Sequence, residues 1–101
     1  MDRMDKIKRH KELCDLVHDT YKKKNEAYGD SFGKTFRELG VISAITRIYD
    51  KFNRILALTR GAKNDIIDES LKDSLLDLSG YAILTILELE IEENAQKENK
   101  N

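Results

Sequence analysis

No proline occurs in the 101 residues, and the five glycines stand at 29, 33, 40, 61 and 80. Between those glycines, apolar residues recur at helical spacing among Lys, Glu and Leu, which lose little on entering a helix. The pattern dictates an all-α fold, a small bundle of three long helices plus a short one. The long helices are predicted over residues 5–27, over 41–60, and from about Asp68, which is placed as the cap of the third, with a start a few residues earlier as the alternative. The short piece spans 34–39, and 61–65 reads as the connector before the third helix. Beyond Ile91 the chain turns polar and is expected to fray, which gives one domain over 1–95 and a disordered tail over 96–101.

Each helix carries a legible face. On the first, Ile7, Leu13, Cys14, Val17, Tyr21 and Tyr28 share one side, so Cys14 is expected to be a packed thiol of a reducing compartment. Residues 28–33 hold two glycines and two short polar residues, the chemistry of a loop, and its aromatics either anchor it on the core or stack on a flat ligand. The second helix has a broad apolar stripe from Ile42 to Thr59, with Arg47, Asp50, Lys51 and Arg54 opposite. The third has a main stripe through Leu71, Leu75, Leu78, Ala82, Ile86 and Leu89, and a second through Leu76, Ile83, Leu84, Leu87 and Ile91. A helix apolar on two sides is buried on two sides, so the second stripe predicts a homo-oligomer, dimer or tetramer, that completes the small core.

Basic and acidic residues number 18 and 19, so no net field draws the chain to nucleic acid or to an anionic membrane. No apolar run approaches the roughly 20 residues of a membrane span. The expected location is the cytoplasm, of a bacterium or of a phage-infected host.

Local charge therefore carries any recognition. Glu69, Asp73 and Asp77 recur at every fourth residue with Tyr81 one turn further, and like charges so spaced repel by a few tenths of a kcal/mol per pair. If the second and third helices form an antiparallel hairpin, residues whose numbers add to about 127 lie level, which brings Asp50 opposite Asp77 and Arg54 opposite Asp73. Carboxylates with interleaved Arg47, Lys51 and Arg54 suit a nucleotide polyphosphate carried with Mg²⁺. Surface ion pairs between two helices produce the same pattern.

The ordered series KNEAYGDSF (24–32), RIYDKFNRI (47–55) and DESLKDSLLDLSGYAIL (68–84) resembles the small MazG-like domains called nucleotide modification associated domain 1. The likeness covers about residues 11–90. It implies a helical oligomer of the all-α nucleoside triphosphate pyrophosphatase group, which uses Mg²⁺, or Mn²⁺ in its place, to release pyrophosphate and a monophosphate. Carried over by position, Asp50, Glu69, Asp73 and Asp77 become the metal and catalytic set, and Lys24, Tyr28, Arg47, Lys51, Arg54 and Tyr81 the substrate contacts. The family's Glu-x-x-Glu pair has Arg47 and Asp50 in its place, which leaves open a nucleotide-binding module without turnover, or a purely structural helical oligomer.

Overall fold

A computed structural model describes the backbone over residues 1–61 and 64–99, and the side chains over 1–61 and 70–99. Four helices follow in order, α1 (Arg3–Tyr28), α2 (Ser31–Leu39), α3 (Val41–Gly61) and α4 (Asn64–Asn99). The all-α bundle of three long helices and a short one is thus the observed fold. No helix among the described residues is long and apolar enough to cross a membrane.

The boundaries follow from capping. Asp2 and Asp5 exchange side-chain and backbone bonds in a capping box, which starts α1 two residues earlier than apolar spacing alone indicates. The chain then leaves α1 at Gly29, whose φ of +74° is open to glycine at little cost. Only Gly29 and Asp30 separate α1 from α2, so the loop expected over 28–33 is corrected to two residues. The cause is Asp30, whose carboxylate accepts the Gly33 N–H at 3.1 Å and caps a helix that takes in Phe32 and Gly33. A Cβ at Gly33 would run into that carboxylate, so glycine permits the tight cap. Gly40, with φ of +81°, closes α2.

Helix α4 begins at Asn64, four residues before the cap expected at Asp68, whose side chain lies outside the described ones. Of the expected connector 61–65, Gly61 ends α3 and α4 already holds 64 and 65, while 62 and 63 lie outside the described residues. Thirty-six residues at a rise of about 1.5 Å make a rod of about 54 Å, which matches the longest dimension of the molecule, 54 Å. The polar end expected to fray past Ile91, and the tail expected to be disordered from 96, are helical through Asn99 and wholly exposed.

α3 and α4 form the antiparallel hairpin, and they meet through residues whose numbers add to 128. Arg47 lies against Tyr81, Lys51 against Asp77 and Arg54 against Ser74. Along α4 the facing residues Ser74, Asp77, Tyr81, Leu84 and Glu88 alternate in steps of three and four, the spacing of a helix seam. Most of this seam is polar. At its open end α2 lays Phe32 and Phe36 against Ala44, with Tyr81 and Leu84 packed beside them. Arg37 ties this corner together, reaching Asp30 and the buried Glu88 at 3.6 Å each.

Consequently the apolar stripes turn outward. Ile42, Ile45, Tyr49 and Phe52 of α3, and Leu75, Ile86 and Leu89 of α4, are all exposed. Cys14, expected to be buried, is exposed too, because α1 packs only lightly against α4 and has no buried residue. Its neighbour Lys11 donates to Asp15 at 2.8 Å, and that carboxylate raises the Lys11 pKa above the usual lysine value.

Phe36 is the largest side chain buried completely among the described residues. Phe36→Ala is expected to lower stability by about 3–4 kcal/mol, the loss usual for an emptied aromatic site, read as a shifted urea midpoint at constant m-value.

Candidate functional site: the α1–α4 groove and the charged seam

The 3–4 spacing that joins α3 to α4 also arranges their chemistry. Arg47 lies one turn before Lys51, and Lys51 one turn before Arg54, so three cations descend one face of α3. The Arg47 guanidinium lies over the Phe32 ring at 5.4 Å and the Tyr81 ring at 5.8 Å. Those rings stack at 6.0 Å between centroids and 19° between planes. Two aromatic faces on one guanidinium fix its position by quadrupole attraction, worth about 0.5–2 kcal/mol according to desolvation. Among the described residues no carboxylate pairs with Arg47, so its charge is held by rings alone. Lys51 Nζ meets Asp77 Oδ2 at 3.0 Å, and Arg54 Nε donates to Ser74 Oγ at 3.2 Å.

An open groove of about 1600 Å³ runs between α1 and α4. Its apolar wall includes Leu13, Val17, Leu76, Ile83 and Leu87, and Val17 lies over Gly80. Its lining includes Lys24, Tyr28, Arg47, Asp73, Asp77 and Tyr81, six of the ten residues that the sequence marks as a site. Lys51 and Arg54 stand in the seam, against Asp77 and Ser74. Asp50 is exposed and lies outside the groove wall. The side chain of Glu69 lies outside the described ones.

Among the described residues no three His, Cys, Asp or Glu side chains gather closely enough to cage a metal. Asp73 is exposed, while Asp77 is half-buried and neutralised by Lys51. These two carboxylates, one turn apart at the groove, fit a Mg²⁺ that arrives on a phosphate and needs one or two protein oxygens. They do not fit a cation held by protein alone.

Sequence reasoning placed the opposing charges within one residue of their register, but paired Arg54 with Asp73 rather than with Ser74, and Asp77 with Asp50 rather than with Lys51. It missed Ser74, buried under Arg54, and Glu88, buried under Arg37. The signal was present as the 74-77-81-84-88 spacing, hidden behind the more conspicuous row of acids at every fourth residue. Phe32 was legible as an aromatic anchor, and it serves as the floor beneath Arg47.

A family model described as nucleotide modification associated domain 1 matches residues 24–89, well over half of the chain. That span runs from Lys24 to Leu89 and so contains all six of these candidate residues that line the groove. Neither a search of curated proteins nor one of solved structures returns a match.

The Lys51–Asp77 pair is partly open to water, with side chains 28% and 41% exposed. A double-mutant cycle on Lys51→Ala and Asp77→Asn is therefore expected to give a coupling energy below about 1 kcal/mol, shrinking further in 0.5 M salt. The pair contributes position more than stability.

Proposed function

We propose, from the premise that the chain belongs to the nucleotide modification associated domain 1 family, that it binds a nucleoside triphosphate, ordinary or modified, and cleaves it to the monophosphate and pyrophosphate. The observation that carries this reading is a groove large enough for a nucleotide, lined by Arg47, Asp73 and Asp77, with Lys51 and Arg54 following Arg47 along α3 and Lys51 paired to Asp77. The MazG-like likeness of the motifs points the same way.

In this reading Arg47, its plane held by Phe32 and Tyr81, offers its edge N–H groups to phosphate oxygens, which suits a planar guanidinium better than a mobile ammonium. Lys51 exchanges Asp77 for phosphate as the nucleotide arrives, and the freed Asp77 carboxylate accepts a proton from the attacking water. Water adds to the α-phosphorus, the bond from that phosphorus to its bridging oxygen breaks, and pyrophosphate leaves. Asp73 and Asp77 would hold Mg²⁺, which when bound neutralises developing phosphate charge and acidifies water. Of the other two acids marked in the sequence, Asp50 stands outside the groove and takes no part in this proposal, Glu69 is one turn before Asp73 in the sequence, and Lys24 with the exposed Tyr28, which also line the groove, would meet the nucleoside.

One observation favours a second reading, capture of a nucleotide without turnover. Lys51 already satisfies Asp77, and no third acid joins it among the described residues.

The purified protein, incubated with canonical and modified nucleoside triphosphates and Mg²⁺ or Mn²⁺, is expected to release pyrophosphate. Asp77→Asn should lower kcat/KM by about 100-fold or more, within the range for loss of a positioned base. Arg47→Ala should weaken nucleotide affinity about tenfold, the loss of about 1.4 kcal/mol. Calorimetric binding with no product and no metal dependence would replace hydrolysis with the second reading.

A further inference from the structure

The groove between α1 and α4 is larger and more apolar than an ordinary nucleotide requires. Its volume of about 1600 Å³ exceeds the roughly 300–1000 Å³ of a pocket for a drug-sized ligand. On α4 its lining runs from Lys72 to Leu87, about 22 Å of helix. Helical rotation then divides that lining across its width. Each residue turns about 100°, so Asp73 and Gly80 lie about 40° and 60° round the axis from Asp77, and Leu87, Leu76 and Ile83 about 80°, 100° and 120° round in the same sense. Asp77 and Tyr81 meet Lys51 and Arg47 of α3, which makes one edge of the groove charged, while Leu76, Ile83 and Leu87 make the other edge apolar. Val17 of α1 lies over Gly80, between the two edges.

The apolar edge is left uncovered. Ile83 is 57% exposed and Leu87 39%. α1 faces this edge across the groove without closing on it, since α1 has no buried residue. Phosphates, ribose and an unsubstituted base all carry polar groups, which gain nothing from a wall of leucine and isoleucine that offers them no hydrogen bond. An apolar wall continuous with a charged edge is complementary to a ligand divided in the same way, anionic at one side and hydrocarbon at the other.

We propose that the groove takes a nucleoside phosphate bearing an apolar substituent, aliphatic or aromatic, with its phosphates at Arg47 and its substituent along Leu76, Ile83 and Leu87. The inference rests on the nucleotide reading and deepens it by naming the class of substrate. Charge fixes the direction in which the ligand lies. Arg47, which no carboxylate pairs among the described residues, receives the anion, and the three aliphatic side chains receive only hydrocarbon. Covering Ile83 and Leu87 with the substituent removes apolar surface from both ligand and protein, so affinity follows the length of the hydrocarbon. The stripe that the sequence alone offered for assembly thereby has a ligand as its occupant.

Calorimetry on the full chain, with α,β-methylene triphosphates that resist cleavage at that bond, compares plain nucleotides with N6-alkyl adenosine and C5-alkyl uridine series. In at least one series affinity is expected to rise about fourfold per buried methylene, hence about tenfold or more from butyl to hexyl. Ile83→Ser, a change at an exposed position, should cut that ratio to below about threefold. Arg47→Ala should weaken both analogues by the same factor and keep the ratio. Plain nucleotides that bind as well as every alkyl analogue would overturn the inference and leave the nucleotide reading standing. Affinity that grows with chain length, without pyrophosphate from the cleavable counterparts, would support the inference and sink hydrolysis alone. A length effect that survives Ile83→Ser would overturn it, as would a hexyl triphosphate lacking base and sugar that binds as tightly as the hexyl nucleotide. Failure of every analogue to bind would overturn it together with the nucleotide reading. Light scattering in which Ile83→Ser separates a dimer into single chains would give the apolar edge to a second copy and overturn it too.

Discussion

The polar seam between α3 and α4 is the constraint on which the remainder depends. Two helices normally pair by their apolar stripes, yet here Arg47, Lys51 and Arg54 meet Tyr81, Asp77 and Ser74. The arrangement is tolerable because each charge retains a partner or water. Asp77 keeps a lysine and partial exposure, Arg54 keeps a hydroxyl, and Arg47 keeps two aromatic faces. Full burial of such charges would cost several kcal/mol apiece, and partial burial avoids most of that. The same choice of seam forces the apolar stripes outward, so the unsatisfied hydrophobic surface and the charged groove share one cause.

α2 makes the seam end well. The hairpin opens at Ala44 and Leu84, and there two phenylalanines from a nine-residue helix supply the dense apolar packing that the seam lacks. Their position depends on a chain of polar contacts beginning at Asp30, which caps α2, and passing through Arg37 to Glu88. A buried carboxylate with a guanidinium at 3.6 Å contributes orientation more than net stability, since desolvation offsets much of the attraction. What it fixes is the placement of Phe32, hence of Arg47, and so the geometry of the groove mouth.

Much of this was legible from residue order. The helices, their antiparallel hairpin and its register within one residue follow from glycine positions and apolar spacing. What escaped was how completely the charged faces serve as the contact. Arg47, Lys51 and Arg54 were set level with the acids of α4, yet the apolar stripes of both helices were expected to be buried as well, and a single pair of helices does not meet through both faces. In a small domain with three buried apolar side chains among the described residues, much of those stripes stays uncovered. The loop over 28–33 failed differently, since glycine suggested a break where Asp30 and Gly33 together build a cap. Cys14 was misjudged because an amphipathic α1 reveals which side is apolar without revealing how firmly a neighbour covers it.

The row Glu69, Asp73, Asp77 and Tyr81 shows how helical geometry divides similar residues among different tasks. Four residues turn a helix through about 400°, so each step along this row rotates about 40° further around the axis. A row at every fourth residue therefore drifts across a seam that alternates threes and fours. Asp77 and Tyr81 reach α3, while Asp73, one turn back, has already rotated out to the groove and to water. The repulsion between neighbouring acids is then relieved in two ways, by Lys51 at Asp77 and by solvent at Asp73. Under the proposed function, a phosphate-borne cation would meet one carboxylate that is free at the outset and another that a lysine must release, which would link ligand charge to lysine movement within a single turn of helix.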